Sequence, residues 1–98
     1  MSFKGDNSRP LKDWLKVFSQ SPQIRGKLYQ TRIEKMWEEV MGPVINSYTR
    51  RIRLDEQVLM IYVDSAPLKA ELSNMKDTIL QSVNQRLGEN FIREVKIF

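Results

Sequence analysis

Arginines 50, 51 and 53 stand within four residues of one another, in Arg50-Arg51-Ile52-Arg53, the densest cationic run in the chain. Guanidinium groups on the exposed side of a strand can meet successive phosphates with charge-assisted, often bidentate hydrogen bonds. A plainer use of the same charges is to guard a sheet edge against aggregation. Lys12 and Lys16 sit one turn apart on an expected first helix, and Arg25, Lys27, Arg32 and Lys35 decorate a second, so a basic stripe could continue from the arginine strand. Ordinary solvation explains the helix cations as well, and a Lys35–Glu39 pair at four-residue spacing would use some of that charge locally. The arginines therefore rank first.

Aromatic residues are the other candidates, because bases of any identity stack on them. Trp14 and Trp37 lie on apolar helical stripes and are expected in the core, whereas Tyr48 is the better exposed candidate and Tyr62 a further one. Side chains for catalysis are scarce: there is no cysteine and no histidine, which removes thiol chemistry, disulfides and the usual ligands of transition metals. The carboxylate pairs Asp55-Glu56 and Glu38-Glu39 are adjacent in sequence and do not converge on one point, so they read as solvated charges. No nucleophile stands beside a base. A non-enzymatic protein without a cofactor is expected.

Charge is distributed unevenly. Met1–Arg53 carries 11 Lys/Arg against 5 Asp/Glu, and Leu54–Phe98 carries 5 against 7, so the net +4 of the 98-residue chain comes from its first half. That asymmetry suits a polyanionic partner. With 41% hydrophobic and 29% charged residues the composition is that of a globular domain, and the length suits a single core. No apolar run approaches the ~18 residues of a membrane span, and the first residues lack a signal-peptide core. A cytoplasmic protein with no membrane association is expected.

The elements that must position these residues follow from periodicity. Residues 1–9 read as a flexible lead-in, and residues 10–98 as one domain. Pro10 opens a helix with Leu11, Trp14, Leu15 and Phe18 at i, i+3, i+4, i+7 spacing. A longer helix runs from about Pro22 to Met41 with Ile24, Leu28, Ile33, Met36, Trp37 and Val40 as core candidates. The five-residue step from Leu28 to Ile33 implies a kink or a change of buried face, which Tyr29 could bridge. Gly42 and Pro43 end it, and Val44–Ser47 can form a further short turn of helix. Arg51–Leu54 alternates as a half-buried strand, Asp55-Glu56-Gln57 has hairpin length, and Val58–Val63 suits a buried antiparallel partner. Ser65 caps a helix in which Leu68, Leu72, Met75, Ile79, Val83 and Leu87 recur at fours and threes. Gly88 closes it, and Phe91–Phe98 forms a last strand with Phe91, Val95 and Ile97 on one face and Ile92, Glu94, Lys96 and Phe98 on the other. The expected fold class is α+β, in the order α-α-β-β-α-β, with a small mixed sheet covered by helices and a right-handed crossover into the last strand.

Trp37-Glu38-Glu39-Val40-Met41-Gly42-Pro43, the basic strand, and Val58-Leu59-Met60-Ile61-Tyr62-Val63-Asp64-Ser65-Ala66 form a sequence of cues that resembles the DciA family. Glu71-Leu72, Leu87-Gly88 and Val95-Lys96-Ile97 continue the likeness, which covers roughly Leu11–Phe98. The resemblance implies a K-homology-like (KH-like) three-stranded fold, DNA binding, and a part in delivering or activating the replicative DNA helicase. The chain has no G-x-x-G loop, the backbone clamp of ordinary K-homology domains. Longer members of the family also carry a C-terminal extension implicated in helicase engagement. On this reading the partners are DNA, single- or double-stranded, or RNA, together with the helicase. A protein-interaction module that docks through a sheet edge or an apolar patch, with Phe98 and Ile92 taking part and self-association open, is the alternative.

Overall fold

The computed structural model describes residues 22–98. The expected helix bearing Lys12, Trp14 and Lys16, and the expected lead-in, lie outside the described residues. Helix α1, Pro22–Met41, starts on a proline whose fixed φ suits a first turn. It buries Ile33 and Trp37 completely. Tyr29, one turn earlier, packs against the same core, while Leu28 is 47% exposed. The five-residue slip is thus resolved without a break: Tyr29 replaces Leu28 in the four-residue series that ends on Trp37.

Gly42 closes α1 by donating its N–H to Glu38 O at 2.8 Å, and adopts φ 92°, ψ 163°. That region of backbone space is open in practice only to glycine. Helix α2, Pro43–Tyr48, follows at once and leads into strand β1, Thr49–Asp55. Glu56 and Gln57, with φ of 48° and 71°, are the left-handed pair that a tight two-residue hairpin turn demands. Strand β2, Val58–Val63, returns antiparallel, with Ile52 opposite Ile61 and Arg53 opposite Met60.

Ser65 accepts a hydrogen bond from Leu68 N at 3.2 Å and caps helix α3, Ala66–Ser73. The single helix expected from Ser65 to Leu87 is in fact two, because α3 ends at Ser73 and α4 spans Lys76–Leu87. Ser73 and Asn74 favour local hydrogen bonds over helix propagation. Ser73 donates to Lys69 O at 2.7 Å, and Asn74 and Met75 close the turn onto Glu71 O and Leu72 O. The apolar series survives the break, since Leu72 and Ile79 are both fully buried; periodicity alone does not register it. Gly88, at φ 85°, ends α4 in the left-handed conformation.

Strand β3 is Glu94–Ile97, parallel to β2, in a sheet ordered β1-β2-β3. The last strand is shorter than expected. Phe91 and Ile92 precede it and are both buried, at 2% exposure each. Ile92 is therefore not a surface residue, which removes it from the protein-docking alternative. Its burial follows from Asn84, whose side-chain amide donates to Ile92 O and accepts from Ile92 N, both at 2.9 Å. A buried polar side chain needs such partners, and here they draw the segment before β3 inward. The sheet closes at its far end through Phe98 N to Ile61 O at 2.8 Å and Val63 N to Phe98 O at 2.9 Å.

Ile52, Leu59, Ile61, Val95 and Ile97 from the sheet meet Ile33, Trp37, Leu72, Ile79, Val83 and Leu87 from the helices in one core. Each such side chain contributes about 1.5–3 kcal/mol by leaving water. The result is the α+β architecture expected, with the described helices on one side of a mixed three-stranded sheet.

Candidate nucleic-acid interface

Because side chains alternate along a strand, residues that flank the buried set face away from the helices. The pairing register arranges them in rows across the three strands. Arg51 lies opposite Tyr62, and Tyr62 stacks on Phe98 with ring centroids 5.0 Å apart and planes 19° apart. The next row is Arg53, Met60 and Lys96; the third is Asp55, Val58 and Glu94. Arg51, Arg53, Lys96 and Phe98 are exposed, and Met60 and Tyr62 half-buried. The open face thus grades from cationic and aromatic at one end to acidic at the hairpin end.

Arg50 departs from this alternation, because the β1–β2 register shifts between Thr49 and Arg51. Such a bulge re-aims the extra residue. Arg50 Nη1 lies 3.6 Å from Asp64 Oδ1, with both side chains more than half exposed, a pairing of at most about 1 kcal/mol in water. Asp64 N donates to Tyr48 O at 2.9 Å, which sets Tyr48, 48% exposed, at the same end of the sheet. What holds that end is Trp37. Its indole N–H donates to the Thr49 hydroxyl at 2.9 Å, which donates in turn to Ile45 O at 2.7 Å, so α1, α2 and the start of β1 share one relay. Trp37 is a core residue, as expected, and not a stacking platform.

The arginine strand and Tyr48 are therefore brought together, whereas Arg25, Arg32 and Lys35 lie along α1, and Lys12 and Lys16 lie outside the described residues. Arg32 donates to Arg86 O at 3.1 Å at the end of α4, with its guanidinium carbon 5.6 Å from the centre of the Tyr29 ring. Arg25 reaches Glu89 at 3.2 Å and lies over Phe91. Lys35 is exposed on α1. Glu39 pairs with Arg86 at 2.9 Å rather than with Lys35. Tyr29 donates its hydroxyl proton to Glu89 and meets Phe91 edge-on at 4.9 Å; burial, and then the carboxylate, hold its pKa above the ordinary tyrosine value. Lys96, Met60 and the contact of Phe98 with Tyr62 emerge only from the cross-strand register.

Among the described residues no helix is long and apolar enough to cross a membrane, and no group of three or more acidic residues is placed to hold a metal ion. Fold and surface together define a small α+β domain whose described helices cover one face of the sheet. The sequence matches the family described as "Dna[CI] antecedent, DciA" over residues 10–97, and the chain belongs to that family. The family is associated with loading of the replicative helicase. The chain is 36% identical over 62 residues to a UPF0232 protein of Corynebacterium glutamicum (strain R), an alignment that spans 63% of this chain and 35% of that protein. No solved structure matches.

Proposed function

We propose that the protein is a non-enzymatic, nucleic-acid-binding accessory factor that assists loading or activation of the replicative DNA helicase, and that Arg50, Arg51 and Arg53 carry the contact with DNA. The observation behind this reading is the exposure of Arg51 and Arg53 on the sheet face that no described helix covers, where neither has an ion-pair partner among the described residues. Their charge is left for an external anion. The helicase role rests on family membership. Lys12, Lys16, Arg32 and Lys35 are secondary contributors in this proposal.

The test is a titration of labelled DNA at two or more salt concentrations with the wild-type chain and an Arg50/Arg51/Arg53→Ala variant. Each phosphate contact contributes roughly 0.7–0.9 to the log–log salt slope, so losing three should flatten it by about 2. Absence of binding at low salt, or an unchanged affinity and slope in the variant, overturns the proposed surface. A protein-docking reading is favoured by one observation, the 67% exposed Val44 and the neighbouring Tyr48 on α2. It predicts helicase capture that Val44→Ser abolishes while DNA binding is unaffected.

A further inference from the structure

Charge alone does not explain the composition of the open sheet face. Beside Arg51, the register places two aromatic rings from different strands in a stack, and Phe98 remains 44% exposed. Stacked rings at a protein surface cost apolar exposure that a polar residue would avoid. The pairing register sets them in the same row as Arg51. Rows along a strand repeat at about 6.8 Å and strands at about 4.8 Å, so the end bounded by Arg51, Arg53, Lys96 and Phe98 is wide enough for one or two unstacked bases.

We infer that this end of the open face is a stacking platform for single-stranded nucleic acid: a base extends the Tyr62–Phe98 stack while Arg51, Arg53 and Lys96 hold the flanking phosphates. The inference rests on the nucleic-acid reading above and adds the strandedness and footprint of the ligand. Bases in a duplex already cover each other's faces and offer nothing to Phe98, whereas those of a single strand are free to stack on an aromatic side chain. Charge grading limits the site further. Asp55 and Glu94 in the third row repel phosphates, which confines the strand to the basic and aromatic rows and to roughly two or three nucleotides. No G-x-x-G clamp is needed, because the sheet itself supplies the contact.

The experiment measures binding of the full chain, at low salt, to labelled dT12, rU12, an abasic 12-mer and a 12-base-pair duplex. Wild type, Phe98→Leu, Tyr62→Leu and Arg51/Arg53→Ala are compared, each checked for folding by far-UV circular dichroism. Wild type should bind dT12 or rU12 about tenfold more tightly than the abasic strand, as stacking of one base provides. Phe98→Leu should erase that difference and leave the abasic affinity unchanged. The relative affinities for dT12 and rU12 assign the sugar. Equal binding of the base-bearing and abasic strands, or of duplex and single strand, with Phe98→Leu without effect, overturns the platform while an effect of Arg51/Arg53→Ala keeps the nucleic-acid reading. Loss of neither affinity in the arginine variant overturns both. Glu94→Lys gives an independent check: it should tighten dT12 binding and steepen its salt dependence, and no change counts against the assigned footprint.

Discussion

The two faces of the sheet are one residue apart in every strand and opposite in character. Ile52, Leu59, Ile61, Val95 and Ile97 are buried against helices, while their neighbours Arg51, Arg53, Met60, Lys96 and Phe98 look outward. The buried face is under a packing constraint that any well-fitting apolar set would satisfy. On the other face no described helix packs, and Arg51, Arg53, Lys96 and Phe98 are exposed, so the core places little constraint on their identity. Chemistry on that side can change without changing the fold.

Exchanging one residue on each face breaks the comparison most sharply. Ile61→Ala should cost about 2–5 kcal/mol by leaving a cavity in the core, whereas Arg53→Ser, on the strand opposite, should remain within about 0.5 kcal/mol of wild type; urea denaturation of both variants checks the difference. Asn84→Ala comes next. It strands the N–H and C=O of Ile92 in the interior, at a cost of roughly 2–3 kcal/mol, and should accelerate hydrogen exchange at β3 ahead of β1 and β2. Replacing Glu56-Gln57 by Asn-Gly relieves two left-handed non-glycine residues and should stabilise the chain by up to about 1 kcal/mol, visible as a raised melting temperature. Its effect on the arginine end of the face should be nil.

The smallest effect concerns Tyr29 on the helix side. Its pKa is raised in the folded state, so the folded protein holds the phenol proton more tightly than the unfolded chain does. The associated stability is fully present below the unfolded value near 10 and is lost as pH rises through the higher folded value. Denaturation midpoints should therefore fall on the alkaline side in wild type and fall less in Tyr29→Phe.

Much of this was legible before any coordinates. Pro22 and Gly42 bracket α1, the Arg51–Leu54 alternation matches the observed strand, and Ser65 caps α3 as its position implies. Three features were not. The helix break at Ser73–Met75 is invisible to an apolar period that carries on through it. Burial of Ile92 depends on Asn84, eight residues away, a polar residue that no hydrophobic pattern selects. The row of Arg51, Tyr62 and Phe98 joins three strands whose alignment is a tertiary fact, and the bulge that re-aims Arg50 belongs to the same class. Arg32 carries a further contact of this kind: it donates to Arg86 O at the end of α4, 54 residues along the chain, a partner that helical spacing on α1 does not reveal.

The two backbone bonds that fasten Phe98 to Ile61 and Val63 have a thermodynamic corollary. They are the terminal rungs of β3, where a sheet frays first, and the ring they carry belongs to the open face. Any molecule held by that ring binds only the zippered form, so occupancy and zippering become a single linked equilibrium. Ligand concentration would then act as a dial on the order of the last strand, and exchange of the Phe98 and Val63 amides would report how far it has been turned.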